Sequence, residues 1–422
     1  MTSPAAAPAP MPPLVVVAHT ASCAAGAGMA ALAEALRIHT SGLQPLHTDA
    51  PPAWAGTACV PMAWVGALDD LAARRLPTPL APWDCRPTRL AWQALQQDGF
   101  TQAVDAARSR WGAARVGLVL GTSASTIGDS EAAYRELDTD GGFPIGRRNP
   151  RLSTPHALAA FVQQALGLQG PAVTVSTACS SSAKACGSAR RWLQAGVVDA
   201  VVVAGVEALS ASLLFGFRSL GLVADAPCQP FSAARQGISL GEAAAFALLQ
   251  RHDAAVAPAA LFLLGDGEAN DAYHMSAPHP RGLGAELALD AALSRAGLQA
   301  DEIDFVNLHG TATPANDAVE AALVARRYAP AVHACATKGL TGHTLGAAGL
   351  LEAVICLLAL EGQGRAGSVH TPAADPAFGP TFAHQLHLQP ATGPVRLAAS
   401  HSFGFGGNNG VLIFGHAAQA RA

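Results

Sequence analysis

Val173-Thr-Val-Ser-Thr-Ala-Cys-Ser-Ser-Ser-Ala-Lys-Ala-Cys186 is the stretch from which the rest of the chain is read. Its β-branched run, Val173, Thr174 and Val175, predicts a short buried strand. Ala183, Ala185, Gly187 and Ala189, followed by Arg190, Arg191, Trp192 and Leu193, predict a helix lined by small residues. Cys179 falls on the turn between the two. There the free N–H groups and positive dipole end of the helix favour thiolate over thiol. A thiolate so placed is a nucleophile, and it calls for partners that move protons and stabilise charge.

Outward from this unit, apolar strand-like runs alternate with Ala-rich helical stretches. Strands are expected at 14–18, 116–120, 173–175, 200–204, 244–249, 305–308, 397–400 and 410–414. Helices are expected at 28–38, 87–97, 154–166, 180–195, 284–296, 317–328 and 346–361. The alternation predicts an α/β protein whose sheets are covered by helices. An Asp/Ala/Pro-rich stretch at 252–260 divides the chain into a half at 14–256, carrying Cys179, and a half at 257–417. Residues 1–13 form an Ala/Pro tract expected to be a disordered tail. Each half closes on two strand-like runs around Gly-rich turns, at 231–249 and 401–414, which hints at a duplicated architecture.

Composition narrows the function. Half of the 422 residues are hydrophobic and 13% are charged, which predicts a large core and an extensive subunit contact. The net charge of −4, with no dense Lys/Arg stripe, excludes a nucleic-acid partner. Eight cysteines without CxxC spacing, and no basic segment ahead of an apolar run at the start, predict a reduced cytoplasmic setting. The longest apolar runs, 197–206 and 350–360, are broken by Asp199 and Glu352 and are too short for membrane insertion. No His/Cys/Asp group shows metal-ligand spacing, so no metal is expected.

Three further segments carry chemistry. They are Asn307-Leu-His-Gly-Thr-Ala-Thr-Pro-Ala-Asn316, Thr337-Lys-Gly-Leu-Thr-Gly-His-Thr-Leu-Gly-Ala-Ala-Gly349 and Ser400-His-Ser-Phe-Gly-Phe-Gly-Gly-Asn-Asn-Gly410. Each lies at a strand end or helix start, where α/β proteins gather functional groups. A thiolate beside two imidazoles suits acyl transfer followed by carbon–carbon bond formation. Neutral imidazoles can donate to an enolate formed on loss of carbon dioxide, and close-approaching amides at Gly404, Gly406 and Gly407 can hold an oxyanion.

Taken together, TACSSS, HGTATP, TKGLTGH and FGFGG resemble the motifs of the elongating β-ketoacyl-acyl-carrier-protein synthases, thiolase-fold condensing enzymes. Gln229-Pro-Phe-Ser, Gly241-Glu242 and Asp271-Ala-Tyr-His-Met-Ser-Ala-Pro278 are similar to that family's middle region. The resemblance implies a thiolase-like fold of two similar halves in a layered α-β-α-β-α arrangement. It implies that Cys179 accepts the acyl chain, that His309 and His343 assist malonyl decarboxylation, and that Lys338 tunes them with Glu352 as its ion-pair partner. Thr311 and Thr313 would hold the phosphopantetheine arm supplied by the acyl carrier protein, with no bound cofactor. Phe403 and Phe405 would contact substrate, Phe405 as a gate whose N–H forms an oxyanion hole with that of Cys179. The partners implied are the carrier protein and a second ketosynthase subunit, identical or of the chain-length-factor kind.

A narrower resemblance, carried by GRRNPR, DAYHMSAPHP, HGTATPAND, LTGHTLGAAG and FGFGGNN, is to ketosynthases of bacterial aryl-polyene clusters. Most fatty-acid enzymes have Thr where Asn408 stands and Asn where His401 stands. Housekeeping fatty-acid elongation is the alternative, and a non-catalytic chain-length subunit or a thiolase are further ones. Val15-Val-Val-Ala-His-Thr-Ala-Ser-Cys23 lacks the family's glycine-marked opening turn. The other seven cysteines read as core, and His401 reads equally as a functional neighbour of the gate or a spacer. His274 reads as an entrance or loop-stabilising residue. The pairs Arg147/Arg148 and Arg190/Arg191 read as solvated charge, one of them a possible carrier dock.

Overall fold

The alternating faces of the Val-rich strands build the layers. A computed structural model describes residues 12–46, 51–56, 60–252 and 259–416. Most of the expected tail, Cys59, the centre of the 252–260 seam and residue 417 lie outside the described residues. The first half contributes β1 (Leu14–Cys23), β2 (Val116–Gly121), β3 (Ala172–Val175), β4 (Ala200–Glu207) and β5 (Ala243–Arg251). The second contributes β6 (Leu261–Asn270), β7 (Phe305–Asn307), β8 (His333–Cys335), β9 (Leu397–Gly404) and β10 (Asn408–His416).

Their order across the sheet is β3-β2-β4-β5-β1-β6-β10-β9-β7-β8. The two halves repeat one another. In each, the first strand pairs antiparallel with the fifth and the fifth antiparallel with the fourth. The fourth then pairs parallel with the second, and the second parallel with the third. β1 and β6 join the halves in antiparallel register, Leu14 opposite Leu263.

The helices that form the layers are α1 (Met29–Ile38), α2 (Arg86–Leu95), α3 (Phe100–Trp111), α4 (Ala157–Ala165), α5 (Ser181–Gln194), α6 (Leu283–Ala296), α7 (Pro314–Arg327), α8 (Ala348–Leu360) and α9 (Gly379–Gln385). On β4, Val201 and Val203 face one core with α1, α5 and α8, while Val202 faces another with α2, α3 and α4. On β10, Leu412 and Phe414 join that same middle core, and Val411 and Ile413 pack on α6 and α7. The result is helix, sheet, helix, sheet, helix. All thirteen residues of α8 are buried, as expected for a helix apolar on every face except at Glu352 and held between two sheets.

The structure corrects three expectations. β3 is not a buried strand: Val173 is 36% exposed, because β3 pairs with β2 alone and forms the rim of the sheet. β-branched composition specifies strand but not how many neighbours flank it. The first half does not close on a short hairpin at 231–249. β4 and β5 are separated by residues 208–242, which carry a helix at Ala211–Ser219, whereas β9 and β10 are joined by a tight Gly-rich turn. Arg190 is not solvated. It is 1% exposed, ion-paired with Asp266, and donates to the carbonyls of Pro12 (2.8 Å) and Leu263 (3.1 Å). Arg191, one residue on, is exposed and pairs with Glu268.

Removing one partner of a buried pair leaves an uncompensated charge, so Arg190→Met is expected to lower unfolding free energy by about 3 kcal/mol. Arg191→Met should change it by less than about 0.5 kcal/mol. Urea unfolding checks both, and equal effects would contradict the burial difference.

Candidate active site

The TACSSS segment folds into a strained turn because its hydroxyls take over the backbone bonding. Ala178 adopts φ 52°, a left-handed conformation costly for a residue with a Cβ. Ser181 Oγ accepts from Thr177 N (2.9 Å) and donates to Ala178 O (2.6 Å), while Ser180 Oγ donates to Thr177 O (2.9 Å). Ser182 Oγ accepts from Leu350 N (2.9 Å), fastening the start of α5 to α8. Cys179 is thereby held at the end of α5, buried in the molecular centre.

The second half delivers both imidazoles to this thiol. His309 follows β7, and His343 follows a short helix, Lys338–Thr341, beyond β8. His343 Nε2 lies 3.1 Å from Cys179 Sγ, and the two imidazole rings meet edge to face at 5.3 Å. Leu345 N donates to His343 Nδ1 (3.3 Å), and the Lys338 ammonium approaches His309 Nδ1 at 3.4 Å. An ammonium has no acceptor lone pair, so each Nδ1 is the acceptor and each neutral ring carries its proton on Nε2. Burial, reinforced by the Lys338 charge, holds both histidines well below the usual imidazole range. Two neutral N–H donors therefore converge on the space beside Cys179.

Lys338 is 1% exposed, forms an ion pair with Glu352 of α8, and donates to His309 O (2.6 Å). Burial pushes the Glu352 carboxyl up, and Lys338 opposes that rise. Cys179 departs from expectation. Burial pushes its thiol up to about 12, against the pull of Lys338 and of the Phe405 N–H. Desolvation outweighs the helix end here, because the turn is sealed under the loop that follows β9.

That loop approaches the nucleophile closely. A Cβ at Gly404 would lie 3.1 Å from Cys179 N and 3.0 Å from Thr177 O, so a side chain there would crowd the nucleophile's turn and the close approach favours glycine. Phe405, whose ring packs on Phe217 at 5.9 Å, joins Thr311, Thr313, Phe403 and both histidines around a cavity of about 240 Å³. Thr311 and Thr313 hydroxyls bond each other at 2.8 Å. All of the expected site residues meet around this cavity except Lys338 and Glu352, which stand behind His309.

Sequence reading missed the carboxylates that hold these loops. Glu207, at the end of β4, accepts from Ser123 N (2.6 Å), Ala124 N (2.9 Å) and Gly346 N (3.0 Å). Glu320 of α7 accepts from His309 N and Gly310 N, both at 2.8 Å. Asp317 accepts from Phe231 N (2.7 Å), within QPFS, and Ala312 N (3.2 Å). An acid ending the otherwise apolar run 200–207 was the available signal for Glu207. His401 is no spacer: fully buried, it bridges Glu320 (3.0 Å) and the Tyr328 hydroxyl (2.7 Å).

Other candidates lie apart. Cys23, Cys85, Cys186, Cys228, Cys335 and Cys356 are free and buried. His274 is exposed, and its Nδ1 accepts from Ser276 N (3.1 Å), a loop-stabilising role. Arg148 donates to Phe143 O (2.7 Å) on the surface, and the side chain of Arg147 lies outside the described residues. Contrary to the spacing argument, the fold does assemble three possible metal donors: Cys179, His309 and His343 lie within 4.8 Å of one another. Linear spacing hides a set drawn from three loops. Yet metal coordination needs the Nε2 lone pairs, and the Nδ1 acceptors commit Nε2 to a proton in both rings. As bonded here, both Nε2 atoms are hydrogen-bond donors toward the space beside Cys179.

Comparison with known proteins agrees with this geometry. The β-ketoacyl synthase N-terminal domain matches residues 65–255, and the corresponding C-terminal domain matches 262–371. Nodulation protein E of Rhizobium meliloti is 34% identical over 77% of this chain and 80% of its own length. The 3-oxoacyl-[acyl-carrier-protein] synthase 2 of Vibrio cholerae is 32% identical over 72% of this chain and 76% of its own. Among solved structures, a chain of the complex of the ketosynthase ApeO with its chain length factor ApeC, from Xenorhabdus doucetiae, superposes with a TM-score of 0.81. It has 32% identity and covers 96% of this chain and 98% of that chain.

The raised thiol has a direct consequence. Alkylation of Cys179 by iodoacetamide is expected to accelerate about tenfold per pH unit and to be still rising at about pH 9. A plateau by about pH 8 would mean that the helix end and Lys338 prevail over burial.

Proposed function

Since the chain belongs to the β-ketoacyl synthase family, whose members here include acyltransferases of the 3-oxoacyl-acyl-carrier-protein synthase type, we propose a division of labour among its residues for decarboxylative condensation. Cys179 Sγ attacks the thioester of a carrier-bound acyl chain, and the pantetheine thiol leaves with the displaced proton. Malonyl-carrier protein then enters, its arm lying along Thr311 and Thr313, which line the cavity. Loss of carbon dioxide leaves an enolate whose oxygen accepts from the Nε2–H groups of His309 and His343. The enolate carbon attacks the acyl-Cys179 carbonyl, and the oxyanion so formed accepts from the backbone N–H groups of Cys179 and Phe405. Collapse of that adduct releases the β-ketoacyl carrier and returns the Cys179 thiolate. Lys338 holds His309 in its donor tautomer throughout, and Glu352 neutralises Lys338.

The observation that carries this reading is the pair of neutral Nε2–H donors beside a buried thiol, with no general base among them. Such a pair stabilises developing negative charge, and loss of carbon dioxide supplies the enolate without any proton being abstracted. A non-catalytic chain-length role is disfavoured by the intact nucleophile, and a thiolase role by the absence of any cysteine beyond Cys356.

For the pathway we propose chain extension of the aryl-polyene kind, with a ketosynthase-like second subunit and an acyl carrier protein as partners. Likeness to the ApeO–ApeC complex and the Asn408 and His401 positions support this over housekeeping fatty-acid elongation. The free rim of β3, with half-exposed Val173, and the exposed Ile127, Tyr134 and Ile145 offer the apolar face a second subunit would cover.

Cys179→Ala should abolish transfer of a labelled acyl chain from its carrier, and retained labelling would overturn the assignment. His309→Ala and His343→Ala should each slow release of carbon dioxide from malonyl-carrier protein by about a hundredfold or more while sparing self-acylation. Equal loss of both half-reactions would undercut the division of labour.

A further inference from the structure

Gly404 to Asn408 forms the turn that carries Phe405 over the nucleophile, and its hold on the body of the protein is polar. Asn408 Nδ2 donates to Phe405 O (3.3 Å), so this side chain braces the gate residue from within the turn. Its Oδ1 accepts from Lys184 Nζ at 2.9 Å and from Asn270 Nδ2 at 3.3 Å. Asn270 Nδ2 also donates to Gly406 O at 2.8 Å, and Gly406 N donates to Met275 O at 2.8 Å. Lys184 stands on α5, five positions after Cys179, and is half-buried. One cation therefore links the nucleophile's own helix to the turn that covers the nucleophile.

The residue types are specific to this linkage. A primary amide presents an acceptor to Lys184 and Asn270 and, from the same group, a donor to Phe405 O. A threonine at this position would offer a single hydroxyl, too short to span both. Burial lowers the Lys184 ammonium and Glu268 sustains it, so the contact to Asn408 is a charge-assisted one in partly desolvated surroundings.

We propose that Lys184 and Asn408 form a latch that holds the Phe405 turn closed over Cys179 and so sets which chains pass the gate. The latch stabilises the arrangement in which the Phe405 N–H faces the sulfur. Breaking it favours an open turn, which admits bulky reagents more freely and leaves the oxyanion site assembled for less of the time. Lys184 and Asn408 are thus positioning residues for selectivity and for the condensation half-reaction. This assignment rests on the proposed function for its consequence in turnover, but not for gate passage itself.

The test measures gate passage directly, as the rate of Cys179 labelling by a bulky N-aryl maleimide divided by the rate with iodoacetamide. Lys184→Met and Asn408→Thr should each raise that ratio by about tenfold, the scale of one charge-assisted hydrogen bond. The double variant should raise it no further, because both changes break one linkage. Lys184→Arg, which keeps a charged donor, should restore the ratio toward that of the unaltered protein. Acyl transfer from short-chain and long-chain carriers should lose its discrimination in step. Unchanged ratios, or additive effects in the double variant, would overturn the latch, whereas failure to release carbon dioxide from malonyl-carrier protein would overturn only the proposed function. A variant that misfolds is recognised by iodoacetamide labelling of the other, normally buried cysteines together with a lowered thermal midpoint. In that case the Asn408→Asp variant, which keeps an acceptor for Lys184 and removes the donor to Phe405, supplies the same ratio.

Discussion

A lysine ammonium at 1% exposure organises the centre of this molecule. Lys338 is an expensive group to bury, and it is tolerable only because Glu352 pairs with it and His309 O accepts from it. Glu352 is available because α8, otherwise apolar all round, threads between the two sheets and carries its one acid toward the site. From this position Lys338 fixes the tautomer of His309, depresses both imidazoles and draws down the Cys179 thiol. The pair is therefore a device for polarity: it helps to keep both histidines neutral and sets which nitrogen of His309 carries the proton, as Leu345 N does for His343.

The duplicated topology explains how these groups meet. β3 and β8 occupy equivalent positions, each at one end of the strand order. The turn after β3 carries Cys179 into α5, and the segment after β8 carries Lys338 and His343 into α8. Both helices lie in the middle layer, where Leu350 N and Ser182 Oγ join them. The two halves thus present equivalent strand-to-helix turns to one another across the centre. One half supplies the nucleophile and the other the groups that stabilise charge around it, with His309 and Phe405 arriving from the ends of β7 and β9.

Competition between burial and local electrostatics recurs through the site. At Cys179 desolvation exceeds the helix end. At Glu207 burial raises the carboxyl even though several donors serve it, and those donors are what fasten the 122–124 loop to the segment after His343. Glu320 plays the same part for His309, with His401 and Tyr328 continuing the chain of hydrogen bonds into the core. The functional loops here are fastened by buried carboxylates that collect backbone N–H groups.

Much of this was legible in the residues. Cys179, His309, Lys338, His343 and Phe405 announce themselves because strand-end loops rich in Gly, Ser and Thr are local features, set by turn chemistry a few residues long. The continuous apolar runs at 200–204 and 410–414 likewise determine strands and, with the helical stretches between them, a layered α/β fold. Tertiary structure alone decided what depends on neighbours distant in the chain. It made β3 a rim, it buried Arg190 while leaving Arg191 wet, and it set Lys184 against Asn408. It also reversed the expectation for Cys179. A sequence names the thiol and the helix behind it, but the solvent excluded from that thiol is excluded by two other segments of the fold. Burial is a property of the assembled layers, and it is burial that sets the charge state on which the site depends.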